Sequence, residues 1–429
     1  MTRGMSILLI AYYFPPYNSV GAVRAGKLAK FLRDQGHTVQ VVTAESPAFP
    51  IGLDLEIPSD CVHPVRGWSV NAPIQWLLGG RKRVATQGYR SGLTGKLSVI
   101  GTLYKTLFHW PDAEVGWIGA AIAKGRTLLD NEKFDIIYAS APPFSGLFVA
   151  KYLSKEFDIP WIAEFRDLWT QNHAYAYPNW RLQLEQILER NVLRSARLLV
   201  TVSKTLAEAL KPFNKPIAVV RNGFDPIDHS EANNDEGDKA FDKLDQLNIS
   251  YTGNVYPGFN DVDLLCEGIL DYVSSGGKIK ITVAGRNISG FYESARRFGI
   301  FDHFDFLPTI ERQKALQLQL NSDALILFGW IGKTDGVLPV KFFEYAATKR
   351  PILVVGPKAI DTSRLVVSEG FGEAAETPGQ ISAFLQTLME KKQSNKTTKL
   401  TGTIDEAYTR SFQFKLLVTE MLSVVGLNR

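Results

Sequence analysis

The sequence predicts an α/β protein of two Rossmann-like halves, each a parallel sheet covered by helices on both faces. Three observations carry that prediction. Short apolar runs alternate with helix-period segments along most of the chain, the pattern of βαβ units. The alternation stops at an acidic stretch, Asp225 to Asp245, that is poor in large apolar residues, and then restarts. The length, 429 residues with 45% hydrophobic content, suits about two domains and excludes a disordered chain.

Taken in order, Ser6–Tyr13 reads as a buried parallel strand, Phe14 to Gly21 as a loop, and Arg24–Asp34 as a helix closed by Gly36. Thr38–Thr43 is the next strand. After residues 61–111, which interrupt the alternation, Phe134–Ser140, Trp161–Phe165, Leu198–Val202 and Ile217–Val220 read as strands. Helices are expected over Phe144–Lys155, Glu185–Ser195 and Lys204–Leu210. Beyond the acidic stretch, strands are expected at Asn248–Thr252, Ile279–Ala284, Phe304–Leu307, Ala324–Phe328 and Ile352–Val355. Between them Val262–Ser274, Gly290–Phe298, Arg312–Asn321 and Val340–Thr348 have helical periodicity, and a further helical region ends near the C-terminus. Neither half has G-x-G-x-x-G after its first strand, which disfavours a dinucleotide dehydrogenase.

The formal charge of +4 says little, but its distribution says more. Residues 1–216 are net +8 and residues 217–429 net −4. Within the first half, residues 61–111 hold seven Lys/Arg and no Asp or Glu, with Trp68, Trp76, Tyr89, Tyr104, Phe108 and Trp110 interleaved. That is the composition of a surface resting on anionic lipid headgroups. Single-stranded nucleic acid would call for stacking aromatics on a sheet or groove instead. The apolar runs Ile7 to Tyr13 and Ala324 to Gly332 are far too short to span a bilayer, so a soluble or peripheral protein is expected. Two cysteines, Cys61 and Cys266, make neither a disulfide framework nor a metal-ligand spacing, and point to a reducing cytoplasm. The six histidines likewise form no ligand spacing, and no nucleophile–base triad is present.

Four stretches can carry chemistry. The loop from Phe14 through Gly21 lies at the carboxyl edge of the first sheet, where ligands of open α/β folds bind, and leads into a helix N-terminus suited to a phosphate. Glu164, Arg166 and Asp167 crowd the end of an apolar strand, where charged groups are either paired or functional. Asn222-Gly223 closes the first half with a turn. Gly332 to Tyr345 is a loop containing Lys333 and Lys341 that runs into an apolar helix bearing Glu344. A carboxylate there can accept two hydrogen bonds from a ribose diol, while loop amides hold a diphosphate. Asp261-Val262-Asp263 has the spacing of a metal motif but opens a helix, where aspartates serve as caps, and no metal is expected.

These stretches, in this order and spacing, resemble glycosyltransferase family 4, whose members are retaining GT-B enzymes that use nucleotide-sugar donors. The likeness runs through FPPYNSVGAVRAGKLAKFLRDQGHTVQVVT, IPWIAEFRDLW, SARLLVTVS, VVRNGFD, ISYTGN, ITVAGR, SDALILF and GVLPVKFFEYAATKRPILVVG, and so covers both halves. It implies two facing Rossmann-like domains with a central cleft and a C-terminal helix crossing back to the first. Residues 1–222, with 404–429 packing back, would hold the acceptor, and residues 223–403 the donor.

Carried over by position, Gly21 matches the glycine loop beside the donor diphosphate. Arg166 and Asp167 stand where the family often has His-Asp at the transferred sugar, with Glu164 beside them. Glu344 matches the ribose-binding glutamate that ends the E-x7-E signature, whereas the position of its first glutamate is Gly336. The family's Arg and Lys on the loop after the first strand of the second domain are missing; that loop carries Asn254 instead. Arg166, Arg286, Lys333 and Lys341 are then the cations left to stabilise a departing diphosphate. The implied activity is retaining transfer from a UDP- or GDP-sugar, without a separate cofactor. The basic, aromatic segment points to a lipid-linked saccharide acceptor in cell-surface polysaccharide synthesis, on the inner face of the cell membrane. A non-catalytic GT-B partner subunit and a GT-B nucleotide-sugar epimerase are the rivals.

Overall fold

The computed structural model describes residues 4–45, 49–71, 96–172, 175, 177–226, 244–256, 258–330, 338–394, 400 and 406–426, with only the backbone at 96–100. The chain divides into two compact units, Met1–Arg221 with Phe414–Arg429, and Asn222–Gln413.

The first unit is a parallel sheet of seven strands: β1 (Ser6–Ile10), β2 (Thr38–Ala44), β3 (Val62–Val65), β4 (Ile136–Ala141), β5 (Trp161–Phe165), β6 (Leu198–Thr201) and β7 (Ile217–Val219). Their spatial order is β3-β2-β1-β4-β5-β6-β7, with Ile7 of β1 in register with both Val39 and Ile136. Alternate residues feed two separate cores. Leu8, Ile10, Ile137 and Ala163 face one, and Ile7, Leu9, Tyr138 and Ile162 the other. Burial on both faces is why these strands read as continuous apolar runs.

The helices of this unit are α1 (Val20–Asp34), α2 (Lys96–Phe108), α3 (Ile118–Asn131), α4 (Ser145–Phe157), α5 (Asn179–Leu193) and α6 (Lys204–Leu210). Three expectations need correction here. First, β1 ends at Ile10 rather than Tyr13, and α1 starts at Val20 rather than Arg24, because Ser19 takes the cap position and accepts from the Ala22 amide at 3.2 Å. Gly21 therefore lies inside the first helical turn rather than before it. Second, residues 61–111 are not wholly outside the sheet, since Val62–Val65 pairs in parallel with β2 as its edge strand. Third, α5 begins at Asn179 rather than Glu185, directly after Pro178. The basic residues Arg81, Lys82, Arg83 and Arg90 lie outside the described residues.

The second unit repeats the plan with six parallel strands: β8 (Leu247–Thr252), β9 (Ile279–Ala284), β10 (Phe304–Leu307), β11 (Ala324–Phe328), β12 (Ile352–Val355) and β13 (Gly372–Ala375). Their order is β10-β9-β8-β11-β12-β13. Helices α7 (Val262–Ser274), α8 (Ser289–Arg297), α9 (Arg312–Leu320), α10 (Val340–Ala347), α11 (Asp361–Ser368) and α12 (Pro378–Gln393) cover it. Most of the acidic stretch between the halves lies outside the described residues.

The last helix, α13 (Arg410–Val424), starts in the second unit and belongs to the first from Phe414 onward. There Phe414, Leu417 and Met421 are fully buried on the Ile7–Leu9–Tyr138 face. Side chains of this size contribute about 1.5–3 kcal/mol each when buried. In both units the strand order reverses beside the first strand, between β1 and β4 and between β8 and β11. Ligands of open α/β sheets collect at the carboxyl ends of such a switch point.

Candidate functional site

At the switch point of the first unit, β5 delivers Glu164, Arg166 and Asp167. Glu164 is buried, and its carboxylate is engaged by the Arg24 guanidinium of α1 at 2.8 Å and by the Ser140 hydroxyl of β4 at 2.5 Å. Arg24 also donates to the carbonyls of Val220 and Arg221 at 3.0 and 3.1 Å. Burial pushes the Glu164 carboxyl up, but Arg24 and Ser140 outweigh it, and the net shift is downward. Glu164 is thus a clasp between α1, β4 and β5.

Arg166 turns back over the edge. Its Nε donates to the Ala141 carbonyl at 3.2 Å, and its Nη2 to the Pro142 carbonyl. Burial lowers its pKa, against the pull of Glu164 and Asp167. The guanidinium packs against the first turn of α1, where a Cβ on Gly21 would sit 2.0 Å from Nη1. The structure therefore brings Gly21 and Arg166 together, and only glycine leaves that space. Asp167 is exposed beside them.

The second unit has its own constellation, on the loops after β8 and β9 and the start of α10. Gly253 adopts φ +132°, and a Cβ there would lie 2.2 Å from Lys341 Nζ. Lys341 donates to the Tyr251 hydroxyl at 2.9 Å and sits 4.4 Å from that ring's centroid. Tyr251 in turn donates to the Asn254 carbonyl at 2.6 Å. Burial pushes the Lys341 ammonium down to about 8, opposed by Glu344. The Asn254 side chain accepts from the Asn287 amide at 3.2 Å, and Asn287 and Val255 exchange two bonds at 2.8 Å. The two loops are thereby locked together, with exposed Arg286 on the second.

Glu344 is largely sheltered, at 17% exposure, and pairs with Arg312 of α9 at 2.9 Å. Its setting is therefore less apolar than its sequence neighbours suggest. Asn254, Arg286, Lys341 and Glu344 all lie on this carboxyl edge. Lys333, with Asp335 and Gly336, lies outside the described residues. Asp261 accepts from the Leu264 amide at 3.0 Å as the cap of α7, and Asp263 holds Ser294 and Arg297.

Sequence reasoning missed several parts of both clusters. Arg24 and Ser140 read as ordinary helix and strand residues. Trp330, at the end of β11, forms an aromatic group with Tyr256 and Phe259, at centroid distances of 5.8 and 5.1 Å. Its signal was the pairing of a loop aromatic with a strand-end tryptophan across the β8/β11 switch point, visible only once the strand order is known.

Residues 21–227 match the model of Glycosyltransferase Family 4. A search of curated proteins finds no match. Among solved structures the chain is similar to the Anabaena protein HepE in complex with UDP and glucose, at 14% identity over 99% of this chain and 97% of that one, TM-score 0.57. It is similar also to sucrose-phosphate synthase from Thermosynechococcus elongatus, at 11% identity over 98% of each chain, TM-score 0.58. A third is the lipopolysaccharide outer core galactosyltransferase WaaB in its apo form, at 12% identity over 98% of this chain and 99% of that one, TM-score 0.55. At such identities the likeness is one of fold. Residues 21–227 are thus similar to glycosyltransferase family 4, and the pair of Rossmann-like units gives the chain the GT-B fold.

Proposed function

We propose that the protein is a retaining glycosyltransferase that moves a sugar from a UDP- or GDP-sugar to an acceptor hydroxyl, with the second unit as the donor-binding domain. The observation that carries this reading is Lys341, a cation that makes no ion pair among the described residues and is held against the Gly253 backbone, on the loop that lacks the family's basic pair. A diphosphate needs such a charge as it departs, because stabilising the leaving group lowers the barrier. Arg286 adds a second positive charge from the neighbouring loop. Glu344, steadied by Arg312, offers a carboxylate oxygen to the ribose diol, and the locked amides around Asn254 complete the cradle.

The first unit supplies the acceptor side. Arg166, packed on Gly21, and exposed Asp167 are the groups that contact the transferred sugar and the acceptor. Glu164 positions them through Arg24 and Ser140 instead of touching substrate. As the resemblance implies, retention would proceed by front-face displacement, in which alignment and leaving-group stabilisation do most of the work. The acceptor we favour is a lipid-linked saccharide of a cell-surface polysaccharide, made at the cytoplasmic face of a membrane; the uncompensated cations of residues 61–111 support it. HepE complexed with UDP and glucose and the galactosyltransferase WaaB share the fold, in keeping with such a donor.

Titration calorimetry with UDP and GDP tests the reading. One of them should bind, and Glu344→Ala should weaken it about tenfold by losing a charge-assisted hydrogen bond of ~1.5 kcal/mol. Absence of affinity for either nucleotide would sink the enzyme reading and leave a non-catalytic subunit. Interconversion of a nucleotide sugar without any acceptor would favour an epimerase.

A further inference from the structure

Up to its last turn, where Val192 and Leu193 join the core, helix α5 carries charge on its inward face and large apolar side chains outside. Its inward face carries Arg181, Glu185 and Glu189, at 0%, 1% and 0% exposure, whereas Trp180, Leu184 and Ile187 are 47%, 50% and 64% exposed. Those three recur at the i, i+4, i+7 spacing of one helix face. Charged residues are rarely buried without partners, and here every one has them. Arg181 pairs with Glu185 at 2.6 Å and donates to the carbonyls of Lys105 and Thr106 at 2.7 and 2.9 Å, and to that of His109. Glu185 accepts from the Trp169 indole at 3.0 Å, and Glu189 from the Thr170 hydroxyl at 2.5 Å. The polar interior therefore fastens the start of α5 to the end of α2. Both helices then present large apolar side chains to solvent, with Leu103, Leu107 and Phe108 of α2 at 57%, 50% and 54% exposure. The Trp110 and Trp180 rings meet at 6.3 Å beside the Arg181 clasp.

We infer that the outer faces of α2 and α5 form one membrane-docking surface, whose occupant is the interfacial region of an anionic lipid bilayer. Large exposed apolar patches on a soluble domain mark interaction sites, and charge decides which occupant this one fits. Lys105 is exposed among the α2 residues. In sequence, residues 61–111 around α2 hold seven Lys/Arg and no Asp or Glu; four of them, Arg81, Lys82, Arg83 and Arg90, lie outside the described residues. Tryptophan, an exposed apolar face and a lysine beside it are the parts of an interfacial helix surface. No helix among the described residues is long and apolar enough to cross a membrane, so the contact is one of lying on the bilayer. The inference deepens the reading of a lipid-linked acceptor and rests on it only for its purpose, since lipid binding is measured without turnover.

Flotation of the full-length protein with vesicles of phosphatidylcholine, alone or mixed with phosphatidylglycerol, tests it. Preferential binding to the anionic vesicles is expected. Trp180→Gln, Leu184→Gln and Ile187→Gln combined should lower the partition coefficient at least about tenfold, and Lys105→Gln about fivefold. If thermal unfolding shows the triple variant to be misfolded, Leu103→Gln with Leu107→Gln on α2 serves in its place with the same expected loss. Unchanged vesicle binding in a folded variant overturns the inference. So does wild-type protein that ignores anionic vesicles, or a concentration-dependent dimer that these substitutions dissolve. UDP titrations on the same samples keep the two readings apart, because a protein that floats with vesicles but binds no nucleotide fails only as a transferase.

Discussion

Lys341 illustrates how much of a residue's role is decided by what it is pressed against. Lodged on the Gly253 backbone and the Tyr251 ring, it is desolvated enough to lose its proton near pH 8. Two consequences follow in opposite directions. In the free protein the unfolded chain holds that proton more tightly, so between about pH 8 and the ordinary lysine value stability should rise with pH. A bound diphosphate needs the charged form, so UDP affinity should fall as pH climbs through the same region, by up to about tenfold per unit. Lys341→Met should bind UDP at least about tenfold more weakly and lose the pH dependence. Calorimetric titrations from neutral to alkaline pH check both points; a flat affinity profile in the wild type would remove Lys341 from the diphosphate site. The sequence offered Lys341 as one of four candidate cations. Ranking it needed the positive φ of Gly253, which no residue pattern encodes.

Elements are joined by buried polar clasps, and these were the least legible part of the chain. The Arg24–Glu164 pair fastens α1 to β5 and to the segment leaving β7. Arg24→Met should strand the Glu164 charge in the core and cost about 3–5 kcal/mol, read as a lower urea midpoint for the first unit. Adding Glu164→Gln should restore much of that loss, because the stranded charge is gone. A double variant no better than Arg24→Met would refute the clasp. Apolar strands such as Trp161–Phe165 and Ala324–Phe328 were readable to the residue, since burial on both faces leaves a continuous signal. Helix α3 was not, because IGAAIAKGRTLLDN is rich in small residues with a weak apolar stripe, and β13, reading GEAA, has no β-branched residue. The start of helix α5, before Glu185, escaped for a different reason: there Trp180, Leu184 and Ile187 face outward, which reverses the rule by which periodicity is read.

At the scale of the whole molecule, both units repeat one strand order, and the repetition was legible because the acidic stretch separates two runs of the same alternation. What no local pattern shows is that the first unit is assembled from both ends of the chain. Truncation after Gln413 would strip Phe414, Leu417 and Met421 from its core and remove about 5 kcal/mol or more of buried apolar contact. The truncated protein should lose its first unit to limited proteolysis while Asn222–Gln413 survives; equal survival of both would show the helix to be dispensable. The same feature has a meaning for synthesis. A ribosome releases the sheet of the first unit with one apolar flank bare, and then makes the entire second unit before the covering helix emerges. At ordinary translation rates that interval lasts roughly 10–40 s. For that time the nascent chain is a natural client for chaperones, and a pause late in the message would prolong its exposure.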